Sequence, residues 1–301
     1  MAPSRSPTRP AAWQHEGVNS LMVALAVVVA VAAAIRSTWS PCGLSMLSTV
    51  TPLAERSRGH RYGVTASWFI AGATLGGATL GLVAAGLALV VHAIGLSTQT
   101  AAVVAALAAV VGGGSDVHPF GLRLPYHRRQ VDELWLGRYR PWVYAGGFGW
   151  QIGTGVATYI MTAAVYLVVV LAALSASPLA AIAVVTGFGL LRGLDVLLSV
   201  RITTPAALHA FHRRFDALGP ASRQLAIAAQ LAVALVAGLV AGPVVGLVVT
   251  LGVVALLVAD VADLRRSRTS DSPVGGPAGA SEAPAPVEAG TQAALAAAPS
   301  R

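Results

Sequence analysis

The sequence predicts an all-α fold, a polytopic bundle of membrane helices, and three observations predict it. Of 301 residues, 55% are hydrophobic and 11% charged, whereas soluble domains run to about a quarter charged. Aromatics make up only 6%, and the apolar mass is Ala, Val, Leu and Gly, residue types that let helices approach closely in lipid. The apolar residues also fall into discrete runs, and every second connection between runs is rich in arginine.

Taken in order, residues 1–17 ("MAPSRSPTRPAAWQHEG") are polar and proline-rich and are expected to be a disordered tail. Apolar runs follow near 18–35, 40–54, 62–92, 100–114, 143–174, 178–198, 223–241 and 243–262. A spanning helix needs about 20 apolar residues. Most runs meet that length, 62–92 and 143–174 exceed it and should tilt or protrude, and 40–54 is short. The run 18–35 reads as a span of its own, as one helix with 40–54 kinked at Pro41, or as a signal peptide ending in "AVAAA". The last two runs are separate spans if "AGPVVG" at 241–246 turns the chain. The result is a transmembrane domain over 18–264 with about seven or eight spans, followed by a Pro/Ala/Gly/Ser tail over 265–301 that is expected to be disordered.

Charge sets the orientation. Arg56, Arg58 and Arg61 follow the second run; Arg123, Arg128, Arg129, Arg138 and Arg140 lie between the fourth and fifth; Arg201, Arg213, Arg214 and Arg223 precede the seventh; Arg265, Arg266 and Arg268 follow the last. "GLSTQ" at 95–99 and "SAS" at 175–177 carry none. This alternation predicts a multi-pass cell-membrane protein with the basic loops and the C-terminus in the cytoplasm. The net charge of +8 is accounted for in the same way, with no nucleic-acid partner. One cysteine excludes an intrachain disulfide and a Cys-rich metal site. The histidines, including "HAFH" at 209–212, lack metal-ligand spacing, and neither a metal nor a cofactor is expected.

The chain's single cysteine sits in "STWSPCGLSMLSTVT" at 37–51. Proline within a helix removes a backbone bond and frees carbonyls, and in lipid such groups need shelter from protein or cavity water. Ser40, Pro41, Cys42 and Ser45 are therefore candidate binding residues, with Cys42 also a candidate redox group. Gln151 and Thr154, with Thr158, share one face of the run 143–174. Arg192 and Asp195 lie three apart in an apolar segment, where they could pair and where ionisable residues are functional candidates by default. The tandem "GATLGGATLG" at 72–81 offers small-xxx-small spacings for internal packing or for a homo-oligomer interface.

The "SPC" break, the basic loop "ERSRGHRYG" and the Gly-rich helix after it resemble the DsbD/CcdA-type transmembrane thiol–disulfide shuttles of the LysE-like superfamily. The resemblance implies an inverted repeat of three plus three helices, here with an extra C-terminal helix, and a cytochrome c biogenesis-like role. The fourth core helix, "YAGGFGWQIGTGVATYIMT" at 144–162, carries no second cysteine, so no intramolecular disulfide is available to carry two electrons. The leading expectation is a transporter-like protein, not an enzyme, that binds or moves a small solute at Ser40, Pro41, Cys42, Ser45, Gln151, Thr154, Arg192 and Asp195. The alternative is a membrane thiol–disulfide protein using Cys42 with a thioredoxin-like partner. The lipid bilayer is the remaining partner.

Overall fold

The computed structural model describes residues 11–117 and 135–270, and every regular element among them is helical. The order is α1 (Ala11–Ser37), α2 (Pro41–Thr49), α3 (Pro52–Ser57), α4 (Tyr62–Ile94), α5 (Thr98–Val117), α6 (Trp135–Arg138), α7 (Pro141–Gly153), α8 (Ala164–Leu174), α9 (Pro178–Leu194), a 3₁₀ turn (Asp195–Ser199), α10 (Pro205–Ala241) and α11 (Pro243–Ser270). Residues 1–10, 271–301 and most of the basic connection 115–142 lie outside the described residues, and with them most of the two expected tails. The chain divides into residues 1–262, which hold the bundle, and residues 263–301, of which only the end of α11 is described.

Among the described residues six helices are long and apolar enough to cross a membrane: Asn19–Ser37, Tyr62–Ile94, Thr98–Val117, Pro178–Ser199, Pro205–Ala241 and Pro243–Arg265. The chain is an all-α membrane helix bundle. Alpha7 and α8 are shorter, and α8 (Ala164–Leu174) is apolar. The run 143–174, expected as one long helix, opens over residues 154–163, where Gly155 takes φ +67°. That left-handed conformation suits glycine and interrupts a right-handed helix. A second departure is at 205–222, expected as a polar loop, which is instead the first half of α10.

Proline places the helix starts. Of the seven prolines in the described residues, six open a helix and only Pro220 lies within one. Proline suits the first helical position because its missing N–H has no partner there anyway. At four of these starts the preceding residue caps the helix. The hydroxyls of Ser40, Thr51, Ser177 and Thr204 accept from the N–H of Gly43, Ala54, Ala180 and Ala207. Pro41 therefore does not kink a continuous helix, because α1 has already ended at Ser37. Alpha2 and α3 lie where α9 finishes and α10 begins. The Leu53 N–H donates to the Ile202 carbonyl at 3.1 Å, Ser199 Oγ donates to the Val50 carbonyl at 2.8 Å, and Trp39 stacks on Phe215 with ring centroids 4.4 Å apart.

The pairing of helices repeats between the two halves. Alpha4 packs on α9, α5 on α10 and α1 on α8; α1 packs on α9 as α4 packs on α7 and α8; α1 packs on α10 as α5 packs on α8. Exchanging α1, α4 and α5 for α7–α8, α9 and α10 maps these pairs onto one another, while the α7–α9 and α8–α9 contacts have no α1–α4 counterpart of similar extent. The centre is α4, whose two glycine stripes face different neighbours. Gly72 and Gly76 lie against the backbone of Gly146 and Trp150 on α7, while Gly77 and Gly81 lie against Val185, Gly189 and Ile182 on α9. These glycines serve contact within the chain and are not available as an oligomer interface. The core around them is Ala-, Val- and Leu-rich. A second, aromatic cluster of Phe69, Tyr144, Phe148 and Phe215 with Met46, Leu47 and Val50 closes the end that carries the basic loops.

Candidate functional site

Polar side chains in this bundle gather at the basic-loop end, in three groups. The first is built on Glu55. Capping by Thr51 starts α3 so that Glu55 points inward, where it is 0% exposed. A bare carboxylate there would cost several kcal/mol, and donors from three elements meet it. Arg58 Nη1 lies at 2.8 Å, Thr65 Oγ1 on α4 at 2.6 Å, and the Tyr144 hydroxyl on α7 at 2.9 and 3.0 Å from the two oxygens. His60 Nδ1 stands 3.8 Å away. Arg58 also donates to the Thr49 carbonyl at 2.9 Å, which ties α2 to α3.

The second group is built on Asp116, at the end of α5. Its carboxylate accepts from the Thr162 hydroxyl, from the Ala163 N–H at 2.9 Å and from Gln230 Nε2 at 2.8 Å. The open stretch 154–163 is thereby held to α5 and α10. Beside it, Arg223 on α10 donates to the Asp116 carbonyl at 3.1 Å and pairs with Asp260 on α11 at 2.9 Å; Gln224 donates to the same Asp260 at 2.9 Å.

The third group contains the residues singled out from the sequence. Ser40 caps α2, Pro41 opens it and Cys42 is buried. Ser45 is half-buried, and its carbonyl accepts from Thr49 Oγ1 at 2.9 Å. Arg192, 1% exposed, donates weakly from Nε to the Ile152 carbonyl at 3.5 Å, and its Nη1 has no hydrogen-bond partner. Asp195 and Cys42 are the ionisable groups that act on it. The expected Arg192–Asp195 pair does not form. Alpha9 tightens into a 3₁₀ turn at Asp195, and that carboxylate accepts from Thr38 Oγ1 at 2.8 Å instead. Thr154 turns its hydroxyl back to the Gln151 carbonyl at 2.7 Å, and its backbone rests against Gly76 of α4. The structure thus brings Cys42, Arg192 and Asp195 together. Gln151 and Thr154, expected in a groove opposite Cys42, sit at the end of α7 with Thr154 facing α4.

Glu55, Tyr144, Asp116 and Gln230 were missed. One signal could have found two of them: between residues 17 and 131 the sequence has only two acidic residues, Glu55 and Asp116, and each is buried and accepts from three protein donors. These carboxylates are committed to joining helices. Among the described residues no three His, Cys, Asp or Glu side chains gather as metal ligands would.

No protein-family model matches the chain, and no solved structure matches it. Curated relatives do. The methylamine utilization protein MauF of Methylophilus methylotrophus is 33% identical over 204 residues, 66% of this chain and 70% of that protein. MauF of Paracoccus versutus is 33% identical over 179 residues, 58% and 64% of the two chains, and MauF of Paracoccus denitrificans is 32% identical over 173 residues, 56% and 60%. These relatives overturn the expected membership of the DsbD/CcdA-type shuttles and the LysE superfamily. With that membership go the transporter-like, thiol–disulfide and cytochrome c biogenesis-like readings. The physical reason is in the motif that carried the resemblance. "SPC" is a serine-capped, proline-started helix, a device that this chain uses with Ser or Thr at four helix starts, so it marks no redox centre. The chain belongs to the MauF family of methylamine utilization proteins.

Proposed function

We propose that this protein is a membrane-embedded accessory protein of methylamine utilization with no enzymatic chemistry of its own. The observation that carries the proposal is the 33% identity over 204 residues to a methylamine utilization protein, a stretch covering 70% of that relative. The geometry agrees with an accessory role. The buried carboxylates Glu55 and Asp116 are saturated by protein donors and join helices. The basic loops and the C-terminus lie in the cytoplasm, in keeping with the arginine-rich connections at 56–61 and 201–214. Its partners are the surrounding lipid and a second protein of the same process. Deleting the gene in its own host tests the proposal. Growth on methylamine should be lost while growth on a carbon source such as succinate, with ammonium, is unchanged; undisturbed growth on methylamine would refute it.

A further inference from the structure

At the basic-loop end, outside the polar groups described above, a pocket of about 610 Å³ opens between the loop before α4 and the connection from α9 to α10. Arg56, His60, Arg61 and Val64 line it from the loop and the start of α4, and Val200 and Thr203 from the α9–α10 connection. Three observations say what it would hold. Arg56 and Arg61 are exposed, and among the described residues neither has an ion-pair or hydrogen-bond partner on its side chain. The nearby carboxylate, Glu55, is buried and already taken by Arg58, Thr65 and Tyr144, so it does not neutralise them. The pocket also lies at the ends of two apolar spans, one beginning at Tyr62 and the other ending at Ser199, on the boundary between apolar helix and basic loop. Val64 and Val200, 51% and 49% exposed, stand beside the arginines on that boundary.

We propose that this pocket binds the phosphate of an anionic phospholipid headgroup, with Arg56 and Arg61 on the phosphate oxygens and the acyl chains running over Val64 and Val200. Paired guanidinium groups match phosphate oxygens with fixed fork geometry, and basic pockets at the ends of membrane helices have the charge and depth that such headgroups need. Free inorganic phosphate shares the anion but would make no use of the apolar rim.

The test uses the full chain purified in a neutral detergent, with lipid binding read by native mass spectrometry and by the shift in thermal unfolding. Phosphatidylglycerol should bind and stabilise, and phosphatidylcholine should not. The double variant Arg56→Ala/Arg61→Ala should lose phosphatidylglycerol binding by about tenfold or more. Arg56→Lys/Arg61→Lys should keep part of it, which would also show that the exposed positions tolerate change. Arg213→Ala/Arg214→Ala, an exposed basic pair on α10 outside the pocket, should bind as the unaltered chain does. Equal binding of the two lipids, an equal loss in the α10 variant, or displacement of phosphatidylglycerol by millimolar inorganic phosphate would each overturn the proposal.

Discussion

Tyr144 on α7 donates its hydroxyl to Glu55 on α3, 2.9 and 3.0 Å from the two carboxylate oxygens, and both residues are 0% exposed. The contact joins α7 to α3 across 89 positions of sequence. A hydrogen bond to a charged acceptor contributes about 1.5–3 kcal/mol. Tyr144→Phe should therefore lower the midpoint of thermal unfolding in detergent by several degrees. Glu55→Leu, which also strands Arg58 and Thr65, should lower it further. In a double-mutant cycle the two changes should couple by about 1–2 kcal/mol; strict additivity would show that the contact contributes nothing.

Asp116 should matter more than Asp260. Asp116→Ala leaves Thr162 and the Ala163 N–H without their acceptor and takes from Gln230 one of its two, the Ala226 carbonyl remaining. At about 1–3 kcal/mol for each buried orphan, most of the protein should fail to elute as a monodisperse species. Asp260→Ala removes the ion pair to Arg223, which is a quarter exposed, and the hydrogen bond from Gln224, and should cost about 1–2 kcal/mol. Size-exclusion chromatography of the two variants side by side would reveal the order, and the reverse order would contradict this reading of the network.

The α4–α7 interface leaves no room for a methyl group. A Cβ at Gly153 would lie on the Ala73 carbonyl, and one at Gly149 on the Phe69 carbonyl. Gly153→Ala should force the helices apart and abolish folded protein. Gly86 on the same α4 has nothing within 4 Å of its Cβ position. There Gly→Ala should be neutral or stabilising by up to about 1 kcal/mol through helix propensity. Expression and melting of this pair separate packing from propensity.

Cys42 is 3% exposed and packed on α2. It should resist aqueous maleimide in the folded protein and label promptly in denaturant, since reactivity follows access and thiolate character. Cys42→Ala should leave growth on methylamine intact. Prompt labelling of the native protein would contradict the burial.

In that cysteine-free background, single cysteines at Arg56 and at Gln99 report orientation. A membrane-impermeant maleimide applied to intact cells should label the Gln99 position and spare Arg56 if, as proposed from the charge alternation, the arginine-rich loop faces the cytoplasm. The opposite pattern would invert the proposed topology.

The sequence carried much of the fold, and physical reasons separate what it carried from what it did not. The apolar runs depend on composition alone, so most of them survive in the structure as membrane helices. The break near Pro41 was visible as a position but not as a geometry. Proline reads as a helix breaker, and only the Ser40 cap shows that it starts a new helix after α1 has ended. The opening at 154–163 has no proline to announce it, since one left-handed glycine, Gly155, is enough. The spacing of Arg192 and Asp195 places both on one face but does not name the partner, and the Asp195 carboxylate accepts from Thr38 Oγ1, 157 positions away in sequence. Glu55 and Asp116 were overlooked because each stands alone near the end of an apolar run, where an acidic residue passes for a boundary marker. The family was not legible at all, because a capped proline start recurs wherever helices begin.

The central claim is that this chain acts in methylamine utilization, and complementation tests it most directly. Paracoccus denitrificans lacking its own MauF, a relative 32% identical over 173 residues, would receive this chain under an inducible promoter, and growth on methylamine would be measured with and without inducer. The account predicts inducer-dependent restoration of growth that Cys42→Ala retains and Gly153→Ala loses. No restoration by a chain shown to reach the membrane and fold would contradict it.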